Sequence, residues 1–98
     1  IDLRTVITQV AGDLIPLAAQ RDITLSVNAE LRPAWVHAEP VIAAEILTNL
    51  LDNAIRYNQP GGNVCISVHD FGQSVAMSVE DDGPGIPQPE LAHIFERF

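Results

Sequence analysis

The chain has 98 residues, 47% of them hydrophobic, and a net charge of −8 from 13 acidic and 5 basic residues. This length suits one domain that buries an ordinary hydrophobic core. The basic residues, all arginines, are scattered, which argues against binding to nucleic acid or to an acidic membrane surface. No apolar run reaches the roughly 18 residues of a membrane span. An anionic ligand would need a metal ion or backbone amides to meet its charge.

The first third of the chain predicts a helix followed by two strands. Residues 2–20 repeat apolar side chains at spacings of three and four, with Asp2 as the N-cap, and predict an amphipathic helix. Residues 23–29 alternate apolar and polar side chains and predict a strand. Residues 35–38 predict a further short strand.

A second helix is predicted to begin at Pro40, with Glu39 as a weak cap, and to run to about Tyr57. On a helical wheel its solvent side carries polar and charged residues. Its apolar arc comprises Ile42, Ala43, Ile46, Leu47, Leu50, Leu51, Ala54 and Tyr57.

The second half of the chain predicts a β-hairpin and a last helix. Residues 63–70 and 74–81 both alternate and are joined by a tight turn. Residues 89–98 carry Leu91, Ile94, Phe95 and Phe98 at helical spacing, which predicts a short helix. The element order favours an α/β two-layer sandwich, with helices on one face of a mixed sheet.

Two asparagines in the second helix call for an explanation, because a buried amide without partners costs about 1–3 kcal/mol. Asn49 and Asn53 are predicted to lie on the seam beside Ile42 and Ile46, where a helix would line a cleft. One interpretation is ordinary hydrogen bonding to neighbouring loops. The other is a magnesium site, because an amide oxygen is a good ligand for Mg²⁺ and adds no negative charge beside phosphates.

A second group of polar residues lies in VEDDGPGIP, residues 79–87. Strand alternation predicts that Asp81 points toward the core side and Asp82 away from it. Asp81 could cap a turn, or it could accept a hydrogen bond from the amino group of a ligand. Gly83 and Gly85 would permit a tight turn against a flat ligand.

Together these motifs resemble the ATP-binding catalytic domain of sensor histidine kinases. NLLDNAIRY is similar to the N box of that family, DDGPGI to its G1 box and IFERF to its F box. The resemblance covers nearly the whole chain and implies a Bergerat-type ATP-binding fold, in which three helices back a mixed sheet. It also implies ATP and Mg²⁺ as cofactors.

The resemblance assigns eight positions to the nucleotide site. Asn53 would bind Mg²⁺ bridging the phosphates, Asn49 would line the same pocket, and Arg56 would lie near phosphate. On the base side, Asp81 would accept the amino hydrogen of adenine. The other positions, which would contact or shape the adenine pocket, are Tyr57, Gly83, Gly85 and Ile86.

The function implied is transfer of the γ-phosphate of ATP to a histidine in a separate dimerisation domain, which this chain does not contain. The partners implied are that domain and a response regulator, within a homodimeric inner-membrane sensor whose catalytic domain is cytoplasmic. Residues 1–98 would form one domain without the glycine-rich G2 box and most of the ATP lid. We therefore expect these residues to fold but to bind nucleotide weakly by themselves. His69 is predicted to be a solvent-facing strand residue and not the phosphoacceptor.

The sequence disfavours two other functions. A hydrolase of the same superfamily, such as a gyrase-type or chaperone-type ATPase, would carry a glutamate four residues before the metal-binding asparagine. Asn49 occupies that position and cannot act as a general base. A non-enzymatic interaction module is disfavoured by the intact Asn53, Asp81, Gly83 and Gly85.

Overall fold

Two helices pack on one face of a four-stranded sheet in residues 1–28, 34–81 and 91–97, the part of the chain that this computed structural model describes. The strand order is β1-β2-β3-β4, with β1 parallel to β2 and the other neighbours antiparallel. The predicted two-layer sandwich with a mixed sheet is confirmed. No helix in these ranges is long and apolar enough to span a membrane. The elements are α1 (Leu3–Gln20), β1 (Thr24–Asn28), α2 (Pro40–Arg56), β2 (Asn63–Asp70), β3 (Ser74–Asp81) and β4 (Leu91–Glu96).

The start of α2 is confirmed, but its buried side differs from the predicted arc. Pro40 occupies the first turn, and the carboxylate of Glu39 accepts a hydrogen bond of 2.9 Å from the backbone N–H of Ile42. Ile42 is 56% exposed and Tyr57 is 75% exposed, although both belong to the predicted apolar arc, whereas Ile55, which the arc omits, is fully buried. The buried side turns toward α1 and the sheet, and no described residue covers the flank that bears Ile42 and Tyr57. The buried residues of α2 are Ala43, Leu47, Leu51, Ala54 and Ile55.

The hairpin of β2 and β3 is confirmed, whereas the helix expected over residues 89–98 is wrong for its described part. Residues 91–96 form β4, which pairs antiparallel with β3. The edge of β3 offers unpaired backbone groups, and pairing with them outweighs a helical pattern only a few residues long. Phe95 is consequently buried, while Ile94 on the opposite face of the strand is 64% exposed.

The short strand expected over residues 35–38 is reduced to two isolated bridges. Trp35 pairs with Asp2, and Val36 pairs with Arg97. The backbone N–H of His37 also donates to the carbonyl of Glu96 at 2.8 Å. This segment therefore ties the start of α1 to the end of β4 without forming a regular strand.

Asp2 holds the start of α1 with a largely buried carboxylate. Its Oδ1 accepts from the backbone N–H of Arg4 at 3.1 Å and of Ala34 at 3.0 Å, and its Oδ2 lies 2.9 Å from the Arg4 guanidinium. The hydrogen bond from the Arg4 side chain is the largest influence on the Asp2 pKa and lowers it. Burial acts in the opposite direction, and the two backbone donors add to the lowering. The net result is a pKa below the ordinary value.

We expect Asp2→Asn to lower the free energy of unfolding by about 1 kcal/mol at pH 7, because an amide still caps the helix but cannot pair with Arg4 as a charge. A lowered folded-state pKa stabilises the fold above the pKa of the unfolded state, about 3.9, and this contribution disappears as the pH falls through the folded pKa. The difference from the unsubstituted protein should therefore decrease as the pH falls below about 3.9 and through the lowered pKa of Asp2. Urea unfolding at several pH values measures it, with Asp13→Asn as the control on an exposed position of the same helix. A difference that stays constant with pH would contradict the pairing.

Candidate nucleotide-binding site

Asn49 and Asn53 lie on the exposed side of α2, not at the seam that the helical wheel predicts. Asn49 borders a shallow groove of about 550 Å³ between α1 and α2, which Gln9 and Thr48 also line. Asn53 is one turn further along the helix and outside that lining. Neither side-chain amide has a hydrogen-bond partner within residues 1–28, 34–81 and 91–97. The interpretation in which these amides bond to neighbouring loops is therefore not supported in the described part.

Asp81 ends β3 on the face of the sheet that packs against the helices. It pairs in register with the fully buried Val64, and it shares the face of Met77 and Val79, both in the core. The predicted inward direction of Asp81 is thus confirmed, and its side chain is half-buried. Its neighbour Glu80 lies on the opposite face and is exposed.

The topology brings Asp81 and the end of α2 to the same end of the sandwich. A short turn joins α2 to β2, and β3 runs antiparallel to β2 and therefore ends beside the start of β2. Asn58 braces this turn, because its side-chain amide donates to the carbonyl of Asn63 at 3.3 Å. A side chain at position 62 would meet the side-chain amide of Asn58 and would displace it from this position.

Arg56 and Tyr57 occupy the last turn of α2. The Nε of Arg56 lies 2.9 and 3.0 Å from the two carboxylate oxygens of Asp52. Tyr57 ends the helix, with its backbone N–H donating to the carbonyl of Asn53 at 3.0 Å, while its ring is exposed. The partner of Arg56 was missed from the sequence, although opposite charges four residues apart on a helix are a signal for such a pair.

Three of the eight predicted positions, Gly83, Gly85 and Ile86, lie outside the described residues, as does Asp82. Their roles remain predictions. His69 is exposed on β2, as expected, and its Nε2 lies 3.2 Å from the Ser78 hydroxyl. Within the described ranges, no group of three His, Cys, Asp or Glu residues could hold a metal ion. A metal at this site would depend on amide oxygen and on ligands from the nucleotide and water, which Mg²⁺ accepts.

The family of this sandwich is shown by its similarity to known proteins. Residues 38–98 match the family model of histidine kinase-, DNA gyrase B-, and HSP90-like ATPases. The chain belongs to this family and is a catalytic domain of the sensor histidine kinase type.

Individual relatives support the same assignment. The chain is 37% identical over its whole length to the sensor protein CopS of Pseudomonas syringae pv. tomato, of which it covers 20%. It is 33% identical over 95% of its length to the adaptive-response sensory kinase SasA of Synechococcus sp. (strain JA-3-3Ab), of which it covers 27%. The chain therefore spans about a fifth to a quarter of the length of these relatives.

Solved structures of histidine kinases share the fold. The catalytic domain of ThkA superposes with a TM-score of 0.80 at 25% identity, over 90% of this chain and 60% of that one. The histidine kinase AdeS of Acinetobacter baumannii superposes with a TM-score of 0.74 at 27% identity, over 90% of this chain and 43% of that one. A ThkA structure in complex with the response regulator protein TrrA has a TM-score of 0.78 at 25% identity and is covered to 26%.

Proposed function

We propose that this domain binds ATP with Mg²⁺ at the end of the sandwich where α2 and β3 terminate, and supplies its γ-phosphate to a histidine of a separate domain. The observation that carries the proposal is the pair of amides of Asn49 and Asn53, which have no hydrogen-bond partner among the described residues and lie on the helix whose last turn is at the same end of the sandwich as Asp81. An amide oxygen suits a magnesium ion, and an inward carboxylate suits an amino group. The two ends of ATP present these two chemistries.

The charge of the site favours a metal-dependent mode of binding. Arg56 is the only basic residue in α2, and the chain carries a net charge of −8. Phosphates would therefore meet little positive charge from side chains, and Mg²⁺ held through Asn53 would supply it. Catalysis would consist of positioning and charge neutralisation, so that no residue of this chain has to act as a nucleophile.

The wider setting follows from the relatives. In a longer protein, the partners of this domain would be an upstream dimerisation domain that bears the phosphoacceptor histidine, and a response regulator such as the one in the ThkA complex. The resemblance of the motifs to sensor histidine kinases extends the proposal to a homodimeric sensor at the inner membrane, with this domain in the cytoplasm, and the scattered arginines argue against a nucleic acid partner. Water activation as the main role is disfavoured, because Asn49 cannot accept a proton.

The test is the magnesium dependence of ATP binding in a polypeptide that continues past Phe98 through a G2 box and lid. We expect ATP to bind in the presence of Mg²⁺ and about tenfold or more weakly in EDTA. Asn53→Ala should remove most of this difference, because the amide ligand is lost. Isothermal titration calorimetry of the unsubstituted protein and of Asn53→Ala measures both effects.

The matched control is Asn28→Ala, which removes the same amide from an exposed position on β1. It should leave the magnesium dependence unchanged. Equal ATP affinity with and without EDTA in the unsubstituted protein would refute the metal role of Asn53. Failure to bind ATP under any condition would refute the proposed function.

A further inference from the structure

The ion pair in the last turns of α2 leaves most of the Arg56 guanidinium free. A guanidinium has five N–H donors. Among the described residues, Arg56 engages only its Nε–H, at 2.9 and 3.0 Å from the carboxylate oxygens of Asp52. The four N–H groups of its two Nη nitrogens have no partner in residues 1–28, 34–81 and 91–97. The Arg56 side chain is 49% exposed, so this free edge is open to an incoming ligand.

The spacing along the helix places Arg56 beside Asn53. Asn53 lies three residues before Arg56 and Asp52 lies four residues before it, so both neighbour Arg56 on the helix surface, on opposite flanks. Asp52 therefore holds the Nε of the guanidinium one turn back from one flank and leaves the flank of Asn53 open. An arginine held through Nε presents its two Nη groups as a fork, which matches two oxygens of a phosphate.

We propose that Asp52 is a positioning residue, which orients Arg56 to receive a phosphate of the bound nucleotide. This inference rests on the proposed function and adds to it a residue that does not itself touch the ligand. A free arginine side chain loses rotamer freedom when it binds phosphate, and anchoring Nε beforehand removes part of that cost. The carboxylate also has an opposing effect, because its negative charge repels phosphate, although solvent and salt screen this repulsion at a 35% exposed side chain.

A double-mutant cycle separates the two effects of Asp52. In the polypeptide extended past Phe98, we expect Asp52→Ala to weaken binding of Mg²⁺-ATP by about two- to threefold, the scale of an exposed pair in a helix. Arg56→Ala should weaken it by about tenfold. In the Arg56→Ala background, Asp52→Ala should no longer weaken binding and should slightly strengthen it, because only the repulsion remains to be removed.

Two further variants and a second ligand exclude a general structural effect. Asp52→Glu should bind Mg²⁺-ATP about as tightly as the unsubstituted protein and more tightly than Asp52→Ala, because glutamate also pairs with arginine four residues later. Glu45→Ala removes the same charge from an exposed position of α2 and should not weaken binding. Adenosine, which lacks phosphates, should bind all of these proteins with equal affinity. Circular dichroism and thermal unfolding would verify that each variant is folded.

The outcomes distinguish this inference from the proposed function. If the unsubstituted protein binds Mg²⁺-ATP but Asp52→Ala weakens binding equally in both backgrounds, or weakens adenosine binding equally, Asp52 does not position Arg56. Tighter binding of Mg²⁺-ATP by Asp52→Ala in the unsubstituted background would also overturn the inference. If the unsubstituted protein does not bind Mg²⁺-ATP, the proposed function fails and this inference fails with it.

Discussion

Replacement of Asp81 by asparagine is expected to weaken ATP binding by about 1–3 kcal/mol, the cost of leaving a buried hydrogen-bonding group without its partner. The Asp81 side chain is half-buried and lies on the helix-facing side of the sheet, in register with Val64. A carboxylate there can accept from the amino group of adenine but would meet the carbonyl oxygen of guanine. The unsubstituted protein should therefore prefer ATP to GTP, and Asp81→Asn should lose most of that preference. Competition binding with the two nucleotides measures both quantities.

Two controls test whether the role of Asp81 depends on the face of β3 on which its side chain lies. Glu80→Gln removes a charge one residue earlier, on the exposed opposite face of β3, and should change nucleotide affinity little. The sequence makes the same prediction for Asp82→Asn. A larger effect at Glu80 or Asp82 than at Asp81 would mean that the base contacts the other face of the strand.

The second large effect concerns two isoleucines of α2 whose burial in the structure differs from the burial predicted from the sequence. Ile55→Ala should lower the free energy of unfolding by about 2–5 kcal/mol, because Ile55 is fully buried and its removal leaves a cavity. Ile42→Ala, the same change on the same helix, should stay within about 0.5 kcal/mol, because Ile42 is 56% exposed and alanine favours the helix.

Chemical denaturation of residues 1–98 provides the measurement for this pair. The midpoint of Ile55→Ala should shift far below that of Ile42→Ala, with similar slopes against denaturant concentration. Two equal shifts would contradict the exposure of Ile42, and a small shift at Ile55 would contradict its burial. The comparison needs no ligand and is independent of the proposed function.

The sequence predicts the parts of this fold that local interactions determine. The start of α1 at Asp2, the start of α2 at Pro40 and the hairpin follow from capping, proline geometry and alternation, which act within a few residues. The inward direction of Asp81 followed in the same way, because side chains alternate along a strand.

The errors lie where distant parts of the chain decide the outcome. Residues 91–96 have a helical pattern, but the edge of β3 offered backbone partners that the pattern cannot reveal. The helical wheel of α2 could not show which flank α1 would cover. The predicted apolar arc therefore included the exposed Ile42 and omitted the buried Ile55. For the same reason the wheel placed Asn49 and Asn53 at the seam, whereas the structure places them on the exposed side.

The parallel pairing of β1 with β2 affects how the domain folds and where it begins to unfold. The β2–β3 hairpin needs only neighbouring residues and can close within about 1–10 μs, whereas β1 must wait until α2 has crossed between the two strands. β1 is short and lies at the end of the strand order, and Val27 is 47% exposed. It is therefore the strand expected to detach first during partial unfolding. Its departure would uncover the edge of β2, including the groups beside Val64 and Ile66, as a template for aggregation with other chains.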